Sequence, residues 1–280
     1  MKIAIQGEPG AFSHEAALKL VPGAEIVPCA LSAEVFAALD AGTVDAAAIP
    51  IENSLAGSVL EHFDLLLKHD VKVVEETLVR IRHNLIAMPG VAMGEIERVY
   101  SHPVALAQCR SFLAAHPAMK AVAFYDTAGS VKQLMELGER NVAAIASEAA
   151  AANYGAEILE RDIEDNAENY TRFFLVRRAR EAPGNSESAD PEANKMSIAF
   201  TLENRPGSLV AALSALSAVG TNLTKIESRP VQGKPWEYIF YVDCQIHSPE
   251  EGSRAIDALR PHCIMVKELG RYREAGAIAS

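Results

Sequence analysis

The stretch KIAIQGEPGAFSHEA, residues 2–16, sets the class of fold. Lys2–Gln6 is mostly apolar and is predicted to be a strand; Gly7–Gly10 forms a glycine and proline turn, and a helix is predicted from Ser13. The same order of strand, turn and helix recurs up to about residue 180, with further strands predicted at residues 45–50, 71–88 (two runs), 99–100, 122–125 and 142–146. This alternation predicts an α/β fold with a mostly parallel sheet and helices on both faces.

Two details refine this first region. Helices are predicted over residues 33–39 and 59–69, the second opened by a capping box from Ser58 to Glu61. The length of the region and its strand-rich middle predict two α/β lobes with a cleft between them. Helices that begin just past strand ends provide anion-binding positions at the carboxyl edge of a sheet.

A break in patterning follows at residues 181–195, EAPGNSESADPEANK, which contain no large apolar residue. Such a segment buries too little surface to offset the ordering of the chain, so it is predicted to be a linker between domains at 1–180 and 196–274. In the second domain, strands are predicted at 196–202, 222–231, 237–244 and 262–269, with a turn at residues 233–235 and helices from Ser208 and Ser248. That β-α-β-β-α-β order is ferredoxin-like and contains no catalytic cluster of its own.

The charge balance narrows the class of partner. The chain of 280 residues has 26 basic and 37 acidic side chains, a formal net charge of −11, and 49% apolar residues. Nucleic acids and anionic lipids bind mainly to clustered Lys and Arg, so we expect neither as a partner. A small anionic ligand stays possible, because one pocket can be positive on a negative protein.

The cysteines and the N-terminus indicate a compartment. Cys29, Cys109, Cys244 and Cys263 lie far apart, with neither a CxxC pair nor a histidine at zinc-ligand spacing. The first ten residues are too short an apolar run for a signal peptide, and no run of about 18 apolar residues would span a membrane. We therefore expect reduced thiols, no metal, no membrane association and a cytoplasmic location.

Polar clusters follow several predicted strands of the first domain, and each has a simple structural alternative. Asn53 and Ser54 follow a buried strand, where they would bind a carboxylate or merely stabilise a turn. Ser101, His102 and Thr127 stand where a helix cap is expected, and no carboxylate is spaced to make His102 an acid–base catalyst. Arg172 would either bind a substrate carboxylate or form an ion pair with an acidic residue of the segment 162–168.

Together these clusters resemble the prephenate dehydratase family. The motifs occur in the family's order over residues 1–180: GEPGAFSHEA (7–16), IPIENS (49–54), SHP (101–103) with Gln108, DTA (126–128) and TRF (171–173). The resemblance implies conversion of prephenate to phenylpyruvate, water and carbon dioxide with no metal or organic cofactor. It also implies a two-lobed catalytic fold of the periplasmic-binding-protein type.

The same resemblance assigns roles to residues. Thr171 would assist departure of the ring hydroxyl, Arg172 would bind a substrate carboxylate and Phe173 would pack against the substrate ring. Thr hydroxyls are weak acids, so Thr171 is expected to donate a hydrogen bond rather than a free proton. The positions matching the family's pocket are Asn53, Ser54, Ser101, His102, Gln108 and Thr127.

The second domain resembles the ACT regulatory module, with Glu227-Ser-Arg-Pro230 at the family's phenylalanine-binding motif. The loop that usually contains Gly-Ala-Leu is here Gly207-Ser-Leu209. The resemblance implies that L-phenylalanine binds across a subunit interface of a homodimer or homotetramer. The expected contacts are Gly207, Ser208, Leu209, Val210, Glu227, Ser228, Arg229 and Pro230.

Two other functions remain open at this point. Arogenate dehydratase acts on the aminated analogue, and the difference lies in whether the pocket accepts an ammonium. A non-catalytic two-lobed binding protein is the second, since such lobes also serve as solute receptors. No chorismate mutase segment flanks the two domains, so we expect a monofunctional enzyme.

Overall fold

The computed structural model describes residues 1–182, 192–231, 233 and 236–276. The chain divides into two compact units. One comprises Met1–Leu60 and Thr77–Phe173, and the other comprises Glu61–Glu76 and the described part of residues 174–280. The predicted boundary near residue 180 therefore does not coincide with the division by packing, because residues 61–76 and 174–178 belong to the second unit.

The elements up to residue 182 alternate as predicted. The strands are β1 (Lys2–Gln6), β2 (Glu25–Cys29), β3 (Ala46–Asn53), β4 (Gly57–Ser58), β5 (Val71–Arg80), β6 (Asn84–Ala87), β7 (Arg98–Ser101), β8 (Lys120–Ala123), β9 (Val142–Ala146), β10 (Glu157–Glu160) and β11 (Tyr170–Arg178). The helices are α1 (Phe12–Leu20), α2 (Ser32–Ala41), α3 (Leu60–Lys68), α4 (Pro103–Gln108), α5 (Arg110–Ala115), α6 (Thr127–Leu137) and α7 (Glu148–Tyr154).

These strands form two sheets. The first has the order β2-β1-β3-β11-β5, with β4 added to β3, and β1 runs parallel to both of its neighbours. The second has the order β10-β6-β9-β7-β8, in which β7 is parallel to β8 and β9. In this second sheet β6 runs antiparallel to both of its neighbours, β10 and β9. The predicted mixed α/β class is confirmed, with its two sheets as the two lobes.

Alternation along β9 explains how the second sheet is covered on both faces. Ala143 and Ile145 belong to one apolar cluster, which includes Val99. Val142, Ala144 and Ala146 belong to another, together with Val131 and Leu134 of α6. Since successive strand residues point to opposite faces, a five-residue strand that is wholly apolar requires helices on both sides.

Helix α3 starts later than predicted. Ser58 was expected to cap it, but Ser58 lies in β4, opposite Glu52 of β3, and the helix begins at Leu60. Pairing of β4 with β3 fixes the backbone of Ser58 as a strand, so the predicted capping box does not open the helix. His62, Phe63, Leu65 and Leu66 are its buried side chains.

The C-terminal elements form the predicted β-α-β-β-α-β module. They are β12 (Lys195–Thr201), α8 (Ser208–Ala218), β13 (Asn222–Pro230), β14 (Tyr238–Gln245), α9 (Pro249–Leu259) and β15 (Met265–Tyr272). The sheet order is β13-β14-β12-β15 and every pair is antiparallel. Met196, Ile198 and Phe200 of β12 pack with Ala212, Leu216 and Ala255 of the helices in one core.

The last strand and the end of the linker differ from expectation. β15 continues to Tyr272 because Lys195 pairs with that residue. Lys195 was expected in the linker, but its ammonium is buried 3.0 Å from Oε1 of the buried Glu76. A buried lysine needs such a partner, and no local sequence pattern shows it. Most of the predicted linker, residues 183–191, and part of the predicted turn at 233–235 lie outside the described residues.

The other face of this sheet contacts α3 within the second unit. The Lys267 ammonium of β15 donates to the carbonyls of Leu66, Leu67 and His69 at 2.8–2.9 Å. Arg229 Nη1 of β13 lies 2.8 Å from Asp64 Oδ2 of the helix. Cations at a helix C-terminus stabilise its exposed carbonyls, so Lys267 fixes the end of α3.

Candidate active site

A cavity of about 790 Å³ lies within the first unit, between residues of its two sheets. From the first sheet and its loops it is lined by Gln6, Gly7, Glu8, Ala11, Phe12, Ser13, Pro28, Cys29, Ala30, Pro50, Asn53, Ala56, Gly57, Ser58, Val59, Ile81, Thr171 and Phe173. From the second sheet and its helices it is lined by His83, His102, Val104, Ala105, Gln108, Tyr125, Asp126, Thr127 and Lys132. A volume of this size suits a small organic ligand.

Asn53 and Thr171 are joined by a direct hydrogen bond in this cavity. Asn53 Nδ2 donates to Thr171 Oγ1 at 2.9 Å and to Asn169 Oδ1 at 2.8 Å. The Asn53 carbonyl oxygen accepts the backbone N–H groups of Leu55 and Ala56, which closes the turn after β3. Because Thr171 Oγ1 accepts from Asn53, its own hydrogen is left to donate to a ligand.

Arg172 lies elsewhere than the sequence predicted. Thr171 and Phe173 line the cavity, whereas Arg172 between them does not. Successive residues of a strand point to opposite faces, and Arg172 Nη1 lies 3.9 Å from Glu52 Oε2 on the neighbouring strand β3. Glu52 is therefore an acid that pairs with Arg172, and the guanidinium does not line the cavity.

Ser54 holds two segments together beside the cavity. Its hydroxyl donates to the carbonyl of Glu168 at 3.1 Å and accepts the N–H of Tyr170 at 3.0 Å, and its own N–H donates to the Tyr170 carbonyl. Ser54 is not among the lining residues. Its position makes it a support for the Asn53–Thr171 contact rather than a wall of the cavity.

Ser101 and His102 are adjacent but differ in environment. Ser101 is fully buried at the end of β7, and its hydroxyl donates to the Ile145 carbonyl of β9 at 2.6 Å. It does not line the cavity. His102 does line it and caps α4, with Nδ1 accepting the N–H of Val104 at 3.3 Å. Both the capping role and the cavity position predicted for His102 are thus seen together.

Gln108 contacts a histidine that sequence inspection missed. His83 Nε2 lies 2.9 Å from Gln108 Oε1, and both residues line the cavity. Since the glutamine oxygen only accepts, His83 donates from Nε2 and its Nδ1 is unprotonated. Burial lowers the pKa of His83, against the opposing effects of the Gln108 hydrogen bond and Glu164. His83 lies just after β5, and no motif singles it out.

Thr127 lines the cavity as the first residue of α6, but it is not the cap. Asp126 caps the helix, with its Oδ1 accepting the Gly129 N–H at 2.6 Å. A Cβ at Gly7 would lie 2.8 Å from Asp126 Oδ2, and Gly7 has φ of +100°. Glycine is therefore required at position 7 for the turn after β1 to approach this carboxylate. Burial raises the pKa of Asp126.

An ion pair connects the turn after β1 to α6. Lys132 Nζ lies 3.1 Å from Glu8 Oε2, and both side chains are partly exposed to the cavity. The hydrogen bond to Glu8 raises the pKa of Lys132, so the ammonium stays charged at neutral pH. Glu8 occurs within a motif of the predicted family, but neither residue had an expected role.

The expected effector residues lie in two elements of the C-terminal module. Gly207 precedes α8 with φ of +86°, a conformation that favours glycine, and Ser208, Leu209 and Val210 form the first turn of that helix. The second group, Glu227, Ser228, Arg229 and Pro230, forms the end of β13. Arg229 is engaged by Asp64 of α3, as described above.

Over the part of the chain that the structure describes, no group of three or more His, Cys, Asp or Glu side chains is arranged to hold a metal ion. In the same ranges, no helix is long and apolar enough to cross a membrane. All four cysteines are free thiols.

Comparison with known proteins defines the class: the chain belongs to the prephenate dehydratase family and carries an ACT domain. The prephenate dehydratase model matches residues 3–181 and the ACT domain model matches residues 196–260. Arogenate dehydratase/prephenate dehydratase 2, chloroplastic, of Arabidopsis thaliana is 39% identical over 282 residues, covering 97% of this chain and 72% of that protein. The chain is thus a dehydratase, a lyase of aromatic amino acid biosynthesis.

Two solved structures resemble the whole chain. Prephenate dehydratase from Arthrobacter aurescens in complex with L-Phe is 32% identical, with a TM-score of 0.87 over 98% of this chain and 90% of that one. The quorum quenching acylase GqqA is 34% identical, with a TM-score of 0.88 over 99% of both chains. The resemblance found in the motifs therefore extends to the fold.

Proposed function

We propose that this chain converts prephenate to phenylpyruvate, with Thr171 as the residue that assists departure of the ring hydroxyl. The bond from the ring to its carboxylate breaks and releases carbon dioxide, the electrons complete the aromatic ring, and the C–O bond to the hydroxyl breaks. Hydroxide is a poor leaving group, so a hydrogen bond must stabilise the negative charge that develops on its oxygen as it departs with the C–O bonding pair, and a proton from solvent then converts it to water. Thr171 supplies that donor.

The Asn53–Thr171 hydrogen bond is the observation that carries this proposal. It occupies the threonine oxygen as an acceptor and so directs the hydroxyl hydrogen to a ligand. Phe173 lies two residues further along the same strand face and would contact the ring. Pre-set donors of this kind stabilise developing charge without reorganising during the reaction.

The neutral character of this part of the cavity supports decarboxylation. A cation bound to the ring carboxylate would stabilise the charge that must be lost and would slow the reaction. Asn53, Thr171 and Phe173 are uncharged, and Arg172 faces the other side of β11. Ser54 and Ser101 act as supports in this proposal, while His102, Gln108 and Thr127 contact the substrate.

The decisive assay follows phenylpyruvate by ultraviolet absorbance after addition of prephenate, with a parallel assay for phenylalanine formed from arogenate. Release of phenylpyruvate supports the proposal. Release of phenylalanine alone assigns the chain as an arogenate dehydratase, which the carboxylates of Glu8 and Asp126 in the cavity favour because they would accept an ammonium. Absence of both products refutes dehydratase activity.

Acylase activity is a second candidate, because GqqA is so similar in fold. An acylase that forms an acyl-enzyme needs a hydroxyl or thiol activated by a base. Ser101 donates to a backbone carbonyl and Thr171 accepts from an amide, so neither is paired with a histidine. Amide cleavage by the same preparation, measured beside the dehydratase assay, tests this alternative.

L-Phenylalanine is the proposed effector, bound between the Gly207–Val210 turn and the end of β13. The L-Phe complex of the Arthrobacter aurescens relative supports an effector of this class. Val210 and Ile226 are 68% and 48% exposed, which suits burial in a homodimer or homotetramer. Calorimetry with phenylalanine tests binding, and sedimentation tests assembly.

The proposed location is the cytoplasm, with its reducing conditions. Cys109 and Cys244 are buried thiols whose pKa values burial raises, to about 12 for Cys244. Such thiols are poorly reactive and suit a protein that does not depend on disulfides. Fractionation of the native cells with an antibody against the chain tests the location.

A further inference from the structure

We propose that Lys132 binds the carboxylate of the substrate's three-carbon side chain, and that Glu8 determines whether a 2-oxo or a 2-amino acid is preferred there. This inference rests on the proposed dehydratase function and adds the specificity of the same site. It assigns to Lys132 a role of the kind that the motif predicted for Arg172, the binding of a substrate carboxylate.

The charges along the cavity single out Lys132. Among its described lining residues, Lys132 is the only lysine or arginine. Arg172, the cation that the motif predicted, pairs with Glu52 on the other face of β11. A dianionic substrate that enters an acidic protein needs a local cation to offset the desolvation of its carboxylate. Lys132 is placed to supply it.

The geometry leaves Lys132 able to take a ligand. Its ammonium has three N–H donors, and Glu8 accepts one of them at 3.1 Å. The Lys132 side chain is 37% exposed and that of Glu8 is 23% exposed, so an incoming carboxylate reaches the pair without unfolding either segment. Lys132 comes from the second turn of α6 and Glu8 from the turn after β1, so the two sheets meet at this pair.

Glu8 gives the pair its selectivity. A 2-oxo acid presents a carboxylate and a neutral carbonyl. Lys132 binds that carboxylate, while Glu8 has no group of the ligand to bind and only competes with the ligand for the Lys132 ammonium. A 2-amino acid presents a carboxylate and an ammonium, which match Lys132 and Glu8 respectively. The Tyr125 hydroxyl lies 3.5 Å from Glu8 Oε1, the carboxylate oxygen opposite the one that Lys132 contacts. Glu8 therefore favours the amino acid, and its removal favours the oxo acid.

The test compares Lys132→Met, Lys132→Arg and Glu8→Gln with wild type, using prephenate and arogenate as substrates. Lys120→Met is the matched control, because Lys120 is an exposed lysine of the same unit, at the start of β8 and outside the cavity lining. Calorimetric titration with phenylpyruvate, which retains the side-chain carboxylate, measures binding without turnover. Thermal melts verify that each variant folds.

We expect Lys132→Met to raise KM for both substrates about tenfold or more, the usual loss for a hydrogen bond to a charged group, with kcat within about threefold. Lys132→Arg retains the charge and stays within about threefold of wild-type KM. Glu8→Gln shifts the ratio of kcat/KM towards prephenate by about tenfold. Lys120→Met leaves every parameter unchanged.

Two results overturn the inference. A KM of Lys132→Met that equals that of Lys120→Met removes Lys132 as the anchor, and an equal effect of Glu8→Gln on both substrates removes the selectivity. If wild type turns over neither substrate, the proposed function fails, and the phenylpyruvate titration still decides the anchor. Binding lost in Lys132→Met then supports it, and equal binding in the two methionine variants refutes it.

Discussion

His83 Nε2 lies 2.9 Å from Gln108 Oε1, and this contact fixes the orientation of the glutamine amide. With its oxygen occupied by His83, Gln108 has its NH2 group left to donate to a ligand in the cavity. The ring of Phe12 packs edge-on against the imidazole at 5.7 Å between centroids, which holds the ring in place. His83 is therefore a positioning residue for Gln108.

Removal of the imidazole should release Gln108. We expect His83→Ala to lower kcat/KM for prephenate about tenfold, because one oriented donor is lost, while His83→Asn restores part of the activity by donating to the same oxygen. Steady-state kinetics of both variants measure this. The control is His116→Ala, which removes an imidazole that hydrogen-bonds to the Phe112 carbonyl and does not line the cavity. Equal activity of His83→Ala and wild type would refute the positioning role.

The histidines also predict how stability depends on pH. Burial lowers the pKa of His83 and of His14 below the usual value of 6.5. The unfolded chain therefore binds protons that the folded chain does not, and stability falls as the pH drops through about 6.5 towards the lower folded values. Urea unfolding between pH 8 and pH 5 measures this, and the slope should be smaller in His83→Asn. An unchanged slope in that variant contradicts the assignment to His83.

Thr171 has a testable role in the chemical step. We expect Thr171→Ala to lower kcat about 100-fold, as removal of a single pre-set donor does in other active sites, while Thr171→Ser retains most of the activity. Asn53→Ala should lower kcat through the same hydrogen bond, so the double variant should be little worse than Thr171→Ala alone. A kcat for Thr171→Ala within about threefold of wild type would exclude the assignment.

Substitution of Arg172 tests whether its guanidinium stabilises the fold or binds the substrate. Because its guanidinium is buried beside Glu52, Arg172→Met should lower the free energy of unfolding by about 2 kcal/mol, a partial share of the cost of breaking a buried pair. Its KM for prephenate should change less than that of Lys132→Met. Urea unfolding and kinetics of the two methionine variants decide the matter. A larger increase in KM for Arg172→Met than for Lys132→Met would show that Arg172, and not Lys132, binds the substrate carboxylate.

Helix α3 connects, along the chain, a residue that lines the cavity to a contact with the C-terminal module. It begins two residues after Ser58, which lines the cavity, and its Asp64 pairs with Arg229 of the expected effector motif at 2.8 Å. We expect Asp64→Asn to change the effect of phenylalanine on kcat/KM at least about threefold while basal kcat stays near wild type. Asp257→Asn, which affects an exposed pair with Arg260, is the control. An identical phenylalanine response in both variants would rule out this coupling.

The sequence by itself determined the order of elements and the class of protein. Strand and helix periodicities are local, so β1, most of the alternation after it and the β-α-β-β-α-β module were predicted within a few residues, whereas β2, β4 and β10 were not predicted. The predicted and observed bounds differ where pairing with a neighbouring strand determines whether a residue is in a strand. Ser58 joined β4 by pairing with Glu52, and β15 reached Tyr272 because Lys195 pairs with it.

Only the tertiary structure decided which of the expected side chains line the cavity and which residues they contact there. Thr171, Arg172 and Phe173 are one motif in sequence, yet the alternation of β11 sends the arginine to the opposite face, where Glu52 receives it. Asn53 meets Thr171 across 118 residues and Glu8 meets Lys132 across 124. Such pairs depend on how the strands and helices pack, and a local pattern of residue types contains no information about a partner so distant in the chain.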